Sequence, residues 1–136
     1  MKNILLFLVL IALTVACQRD ESIGPPELLH QRWHLSKTRA VNTNAWISYD
    51  TDGIYDTEYR PDGALVHRKD GVVQARQCCS ANKFERDGAR IQHSDLTICP
   101  FVRCSGPQAE ATITILSGQL LELTTDQRVT QYVAIR

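Results

Sequence analysis

Five turn-forming pairs, each ending in glycine, divide the chain from residue 52 onward into short segments. They are Asp52-Gly53, Asp62-Gly63, Asp70-Gly71, Asp87-Gly88 and Ser117-Gly118. Glycine accepts the positive φ angles that tight β-hairpins require, so such pairs between strand-like segments are strong hairpin signals. No sustained helical period appears after residue 16. The pattern therefore predicts short antiparallel strands joined in sequence by hairpins.

The segments between the turns alternate between apolar and polar residues, which is typical of strands with one buried face. The predicted strands cover residues 32–41, 54–59, 64–69, 72–79, 82–86, 89–93, 111–116, 119–125 and 128–135. We expect an all-β domain, an antiparallel up-and-down meander of eight or nine strands. Closing the sheet into a small barrel would remove its exposed edges.

Apolar side chains on one phase of these strands are candidates to line the interior. They are Trp33, Leu35, Ile113, Ile115, Leu121, Leu123, Val133 and Ile135. In barrels of this kind such residues either surround one small apolar ligand or simply fill the core. The chain is short and poor in aromatic residues, which favours a filled or shallow interior.

The N-terminus has the pattern of an export signal. Lys2 precedes an apolar run over residues 4–13, which is too short to cross a bilayer but suits a signal peptide. Thr14-Val15-Ala16-Cys17 resembles the lipobox of bacterial lipoproteins, in which the cysteine is acylated and becomes the new N-terminus. Two or more acyl chains, palmitate among them, would hold a protein firmly on a membrane.

We therefore predict a cleaved signal helix over residues 1–16, lipidation of Cys17, a flexible tether over 17–27 and the β-domain over 28–136. An ordinary secretory signal followed by a chance cysteine is the alternative. The run Gln18-Arg19-Asp20-Glu21-Ser22 resembles an export signal of some Bacteroidetes lipoproteins, although a solvated tether explains it equally well. We expect an outer-membrane lipoprotein of the cell envelope, periplasmic or surface-exposed.

Four further cysteines, Cys78, Cys79, Cys99 and Cys104, predict two disulfides in an oxidising compartment. Neighbouring cysteines rarely bond each other because the geometry is unfavourable. Cys78 and Cys79 should each reach Cys99 or Cys104, and both pairings stay open. A four-thiolate zinc site is disfavoured because the CxxC spacing is missing.

Three segments resemble lipocalin-like lipoproteins of the calycin type. Gln31-Arg32-Trp33-His34-Leu35 lies where that family has an early tryptophan motif, and Glu58-Tyr59-Arg60-Pro61-Asp62-Gly63 looks like its recurrent hairpin. The run Gln119-Leu120-Leu121-Glu122-Leu123-Thr124 is similar to its penultimate strand. The resemblance implies an up-and-down barrel behind a short tether.

No residue pattern points to catalysis. The histidines His30, His34, His67 and His93 are scattered singly, without metal spacing or a neighbouring nucleophile. We expect no enzyme activity, cofactor or metal. The formal net charge is zero, without the basic face that nucleic-acid binding needs. We also expect a monomer.

Two functions remain open. The first is a membrane-anchored, non-catalytic binding domain for a small apolar ligand. The alternative is a protein-interaction module, an envelope assembly partner or a hydrolase inhibitor, that acts through disulfide-stiffened loops. The candidate contact residues for that role are Trp46, Tyr49, Phe101 and Arg103. A rigid loop loses little entropy when it binds.

Overall fold

The computed structural model describes residues 23–49, 53–75, 77–102 and 109–135. These residues form a 3-10 helix, Pro26–Leu29, and ten antiparallel strands. The strands are β1 (Arg32–Ala40), β2 (Ile47–Ser48), β3 (Tyr55–Tyr59), β4 (Leu65–Lys69), β5 (Val72–Val73), β6 (Ala81–Asp87), β7 (Arg90–Leu96), β8 (Glu110–Leu116), β9 (Leu120–Thr124) and β10 (Arg128–Ala134). Within the described ranges, no helix is both long and apolar enough to span a bilayer.

The strands belong to a single curved sheet in the order β5-β4-β3-β1-β10-β9-β8-β7-β6. The short strand β2 lies off this path and pairs with the second half of β1. The sheet forms a half-barrel, so the prediction of an all-β antiparallel fold is confirmed. The predicted signal helix and Cys17 lie outside the described residues.

Three of the predicted hairpin turns have the positive φ angles that glycine accepts. Gly63, Gly71 and Gly88 have φ angles of 82°, 80° and 58°, and Asp70 joins Gly71 with a φ of 52°. Two consecutive positive φ angles are the mark of a type I′ turn, whose twist matches that of the flanking strands. The turn residues therefore fixed the three hairpins β3–β4, β4–β5 and β6–β7.

The two ends of the sheet approach each other through β4 and β6. Ala64 and Lys83 form an isolated antiparallel bridge, and the Phe84 N–H donates to the Gly63 carbonyl at 2.8 Å. Among the described residues the pairing does not continue along the two strands. Further up, the His67 side chain crosses the gap and donates from Nε2 to the Ala81 carbonyl at 2.7 Å.

The apolar core fills one end of the half-barrel, called the closed end below. Trp33, Leu29, Ile91, Ile113 and Leu121 are completely buried there. The 3-10 helix covers this end, and its Leu29 carbonyl accepts a hydrogen bond from the Trp33 indole. Tyr59 packs edge-on against Phe84, with ring centroids 4.9 Å apart.

Two residues that precede the predicted boundary at residue 28 contact the domain. Ile23 packs against the core, and Arg86 Nη2 donates to the Gly24 carbonyl at 3.1 Å. These contacts fix the chain on the closed end from residue 23 onward. Ile23 and Gly24 belong to the segment 17–27 for which the sequence predicted a tether.

Two local features differ from the strand pattern. The predicted strand over 72–79 is reduced to Val72–Val73, and Cys79 at the far end of the predicted segment has a φ of 65°, which is incompatible with an extended strand. The segment between the predicted strands 32–41 and 54–59 contains β2, which pairs with β1 beyond the part of β1 that pairs with β3.

A β-bulge corrects the predicted interior on β8. The pairing with β9 slips between Ile113 and Ile115, so two consecutive residues oppose one. Ile113 stays buried, but Ile115 is 39% exposed and Leu116 takes the buried position. Alternation read from the sequence cannot anticipate such a slip, because one inserted residue reverses the phase.

The phase of β10 also differs from the prediction. Val133 is 38% exposed, because it shares the outer face with Gln131, whose Nε2 donates to Glu122 Oε2 at 2.6 Å. Tyr132 lies on the opposite, inner face together with Thr130. Ile135, just after the strand, is half-buried.

Candidate functional site

A cavity of about 340 Å³ lies in the half-barrel at the end opposite the 3-10 helix, called the open end below. The strand ends Ala81, Leu96 and Arg128 and the β9–β10 turn surround it. The residues that line it are Thr57, Tyr59, Leu65, His67, Cys79, Ser80, Ala81, His93, Leu96, Ala111, Leu123, Thr125, Gln127, Arg128, Thr130 and Tyr132. This volume is at the small end of the range for ligand cavities, roughly 300–1,000 Å³.

Polar groups dominate the wall of this cavity. Six hydroxyl groups face it, together with two imidazoles, an amide and a guanidinium. The hydroxyl groups belong to Thr57, Tyr59, Ser80, Thr125, Thr130 and Tyr132. Apolar side chains such as Leu65, Leu96 and Leu123 complete the wall. Such a lining suits a small ligand with polar groups better than a purely apolar one.

The predicted interior residues are divided between the core and the cavities. Trp33, Ile113 and Leu121 are part of the packed closed end, whereas Leu123 lines the cavity. Leu35 lines an adjoining cavity of about 330 Å³. The interior is thus filled at one end and open at the other.

The adjoining cavity shares Thr57, His67, Ser80 and Tyr132 with the first. Tyr49 and Tyr55 are also part of its wall, as are Asp56 and Arg68. The four shared residues lie where the two cavities meet. A ligand in the cavity of about 340 Å³ would therefore contact groups that also face the adjoining cavity.

Both ring nitrogens of His67 form hydrogen bonds. Its Nε2 lies 2.7 Å from the Ala81 carbonyl and must donate to it, so in the neutral ring Nδ1 accepts from Thr57 Oγ1 at 3.1 Å. Burial lowers the pKa of the His67 imidazole, and the hydrogen bond to Ala81 partly opposes this. The neutral ring therefore connects β3, β4 and β6 across the gap in the sheet.

Two tyrosine hydroxyls are also buried in the cavity wall. Burial raises the pKa of Tyr132 to about 12, against the opposing positive charge of Arg128. Burial and the neighbouring Tyr132 raise the pKa of Tyr59 further, and its hydroxyl lies 3.5 Å from His93 Nε2. Both phenols stay protonated at neutral pH and are available as hydrogen-bond donors.

A disulfide joins two loops at the open end. Cys78 and Cys99 are bonded, with Cα atoms 5.4 Å apart. This settles the partner of Cys78, which the sequence left open. Cys79 is also disulfide-bonded, and Cys104 lies outside the described residues. The bond at Cys78 ties the segment before β6 to the segment after β7.

The predicted contact residues have different environments. The Phe101 side chain is fully exposed, with a φ of 66°, next to exposed Ile98 and Val102. Trp46 is instead half-buried, and Lys37 Nζ lies 4.7 Å from its ring centroid. Tyr49 is also half-buried, and Arg103 lies outside the described residues.

Opposite charges pair on the outer face of β1, β3 and β4. Arg32 contacts Asp56, whose side chain is only 1% exposed, and Glu58 binds both Arg60 and Arg68. The hydrogen bond from Arg68 is the main cause that lowers the pKa of the Glu58 carboxyl. No group of three potential metal ligands occurs within the part of the chain that the structure describes.

The polar wall of the cavity was not predicted from the sequence. Thr57, His67, Thr130 and Tyr132 occupy inward positions on β3, β4 and β10, but polar residues in a strand were assigned to solvent. The sequence signal for their inward position was that they alternate in step with buried residues on the same strand, as Thr57 does with Tyr59 and His67 with Leu65.

Comparison with known proteins gave no match to a family model, to a curated protein or to a solved structure.

Proposed function

We propose that the chain is an outer-membrane lipoprotein, anchored through Cys17, whose β-domain binds a small molecule without catalysis. The observation that carries this proposal is the cavity of about 340 Å³ at the open end, whose wall consists mainly of convergent polar groups and is completed by apolar side chains. In ligand sites, placed polar groups orient the bound molecule.

The proposal includes a lipocalin-like arrangement in which β4 and β6 complete a small barrel around the ligand. The Ala64–Lys83 bridge, the Phe84–Gly63 hydrogen bond and the His67–Ala81 contact support it. Together they hold the two ends of the sheet against each other along one side of the cavity.

The position of the N-terminal segment predicts how an anchored domain would be oriented relative to the membrane. Ile23 and Gly24 lie against the closed end, so a short tether from Cys17 would hold that end nearest the membrane. The mouth of the cavity would then face away from the bilayer. Such an orientation exposes the cavity to molecules in the surrounding aqueous phase.

Native mass spectrometry of the full chain, purified from its own envelope in mild detergent, tests ligand binding. We expect an added mass of a small molecule that dissociates on collisional activation. Ala111→Leu, which places extra volume in the cavity, should remove this mass, whereas Thr112→Leu on the other face of β8 should keep it. A ligand retained equally by both variants would contradict the proposed site.

Mass analysis of the N-terminal peptide tests the anchor. We expect a peptide that begins at Cys17 and carries acyl groups, and an unacylated, detergent-independent product for Cys17→Ser. A native N-terminus at Met1 without fatty acid would rule the anchor out.

A second candidate function is favoured by the apolar loop next to the disulfide. Ile98, Phe101 and Val102 are exposed around Cys99, and Phe101 is fully solvent-accessible. Exposed apolar groups on a rigid loop are typical of protein contact sites. In the same mass-spectrometric experiment a bound protein that is lost in Phe101→Ser would favour this function over ligand binding.

A further inference from the structure

We infer that the cavity at the open end selects a small carboxylate-bearing molecule with a compact apolar body, and that Arg128 is its anion-binding residue. The inference deepens the proposed function and rests on it.

Arg128 supplies the permanent charge in the cavity wall. Among the described residues that line the cavity of about 340 Å³ there is no Asp or Glu. His67 is kept neutral by burial, and the phenols of Tyr59 and Tyr132 stay protonated. The wall therefore carries a positive charge that no lining carboxylate balances.

The Arg128 side chain differs from the other described arginines. Arg32, Arg60, Arg68 and Arg90 each form an ion pair with a carboxylate. Arg39 and Arg86 donate to backbone carbonyls instead. For Arg128 the structure shows no side-chain hydrogen bond or ion pair with a described residue. Its guanidinium can offer two parallel N–H groups to a carboxylate.

Neighbouring groups hold this part of the wall in place. The Arg128 backbone N–H donates to Thr125 Oγ1 at 3.0 Å, which fixes the β9–β10 turn. The Tyr132 phenol lies near enough for Arg128 to lower its pKa, and Thr130 lies between them on the inner face. Tyr132 and Thr130 line the same cavity, so their hydroxyl groups can donate to the remaining lone pairs of a carboxylate bound to Arg128.

Apolar side chains form the rest of the wall. Leu65, Leu96, Ala111 and Leu123 line it, and Ala111 and Leu123 are almost completely buried. A ring or a short branched chain would cover these side chains and release the water on them. The volume of about 340 Å³ limits this apolar body to a compact group.

Three planar compounds of nearly equal size and different charge test the inference. They are benzoate, benzamide and benzamidine, which carry a negative, a zero and a positive charge. Calorimetric titration of the full chain in detergent micelles measures their affinities, with micelles alone as the blank. We expect benzoate to bind roughly ten- to a hundredfold more tightly than benzamide, because a charge-assisted hydrogen bond is worth that factor.

Variants identify the anion-binding residue. Arg128→Gln should lower the affinity for benzoate to that for benzamide and leave the affinity for benzamide unchanged. Arg128→Lys, which keeps the charge but loses the paired donors, should lie between the two. Lys83→Gln removes one positive charge from the exposed part of β6 and should change neither affinity. Thermal unfolding of each variant checks that the fold is intact.

The outcomes separate this inference from the proposed function. Equal or tighter binding of benzamidine, or undiminished benzoate binding by a folded Arg128→Gln protein, overturns the carboxylate inference and leaves ligand binding standing. If none of the three compounds binds at millimolar concentration, while native mass spectrometry finds a different small molecule, the carboxylate inference alone fails. If that experiment also finds no small molecule, both fail.

Discussion

The indole Nε1 of Trp33 donates a hydrogen bond to the carbonyl oxygen of Leu29 at 2.9 Å, and both side chains are completely buried. The contact fastens the 3-10 helix across the closed end of the half-barrel. It satisfies a polar group that would otherwise be buried without a partner. The closed end is therefore a rigid base beneath the open cavity.

Replacement of Trp33 tests this base. Trp33→Phe removes the hydrogen bond and leaves a small void, so we expect a loss of about 2–3 kcal/mol in the free energy of unfolding. Urea denaturation followed by circular dichroism measures it. Trp46→Phe is the control, since that half-buried loop residue should contribute less than about 1 kcal/mol. Equal effects of the two substitutions would contradict the assigned role of Trp33.

The buried imidazole of His67 predicts a loss of stability in mild acid. Its pKa is lowered from 6.5, so below about pH 6.5 the unfolded chain binds a proton that the folded protein does not. Stability is then full above this pH and falls as the pH decreases toward the lowered pKa. Denaturation midpoints at pH 7.5 and 5.5 measure the effect.

Glutamine at position 67 separates this effect from other titrations. His67→Gln does not titrate, so the difference between the two pH values should be smaller in this variant than in the native protein. Glu58 does not interfere, because its pKa is lowered from 4.5 and its contribution is lost only at lower pH. The same pH dependence in both proteins would show that His67 is not the cause.

The disulfide between Cys78 and Cys99 should stabilise the domain by restricting the unfolded chain. The two cysteines are 21 positions apart, for which loop-closure entropy predicts about 3 kcal/mol. The double substitution Cys78→Ser with Cys99→Ser should lower the free energy of unfolding by this amount under oxidising conditions. Peptide mapping provides the direct check, and a Cys79–Cys99 bond would contradict the structure.

The ion pair between Arg32 and Asp56 should contribute more than a surface pair. The Asp56 side chain is 1% exposed, so Asp56→Asn would leave the Arg32 guanidinium without its charged partner. We expect a loss of about 2 kcal/mol. Glu110→Gln breaks the exposed pair with Arg90 and should cost less than about 0.5 kcal/mol. A comparable loss in both variants would argue that burial of Asp56 has no energetic importance.

Hairpin chemistry made much of the fold predictable. A positive φ at Gly63, Gly71 and Gly88 is a local requirement, so the turn pairs located the ends of strands without any long-range information. The strand predictions were wrong where contacts between distant segments overrode the local sequence pattern. The bulge near Thr114 reversed the phase of Ile115. Most of the strand predicted after Val73 is absent, and this segment instead leads to the disulfide at Cys78.

The cavity wall was less predictable than the core. A leucine such as Leu121 is buried wherever the sheet closes on itself, because its burial needs only an apolar surrounding. Thr57 and His67 are inward-facing because each finds the other as a hydrogen-bond partner, and His67 also finds the Ala81 carbonyl. Such partners come from strands that only the folded sheet brings together.

The amino-acid sequence by itself determined the strand-and-turn pattern and the all-β class, since alternation and turn preference act between residues close in the chain. Tertiary structure alone decided the pairing of Cys78 with Cys99, the exposure of Ile115 and Val133, and the convergence of His67, Arg128 and Tyr132 on one cavity. These features depend on register and curvature, which are set by contacts between distant segments.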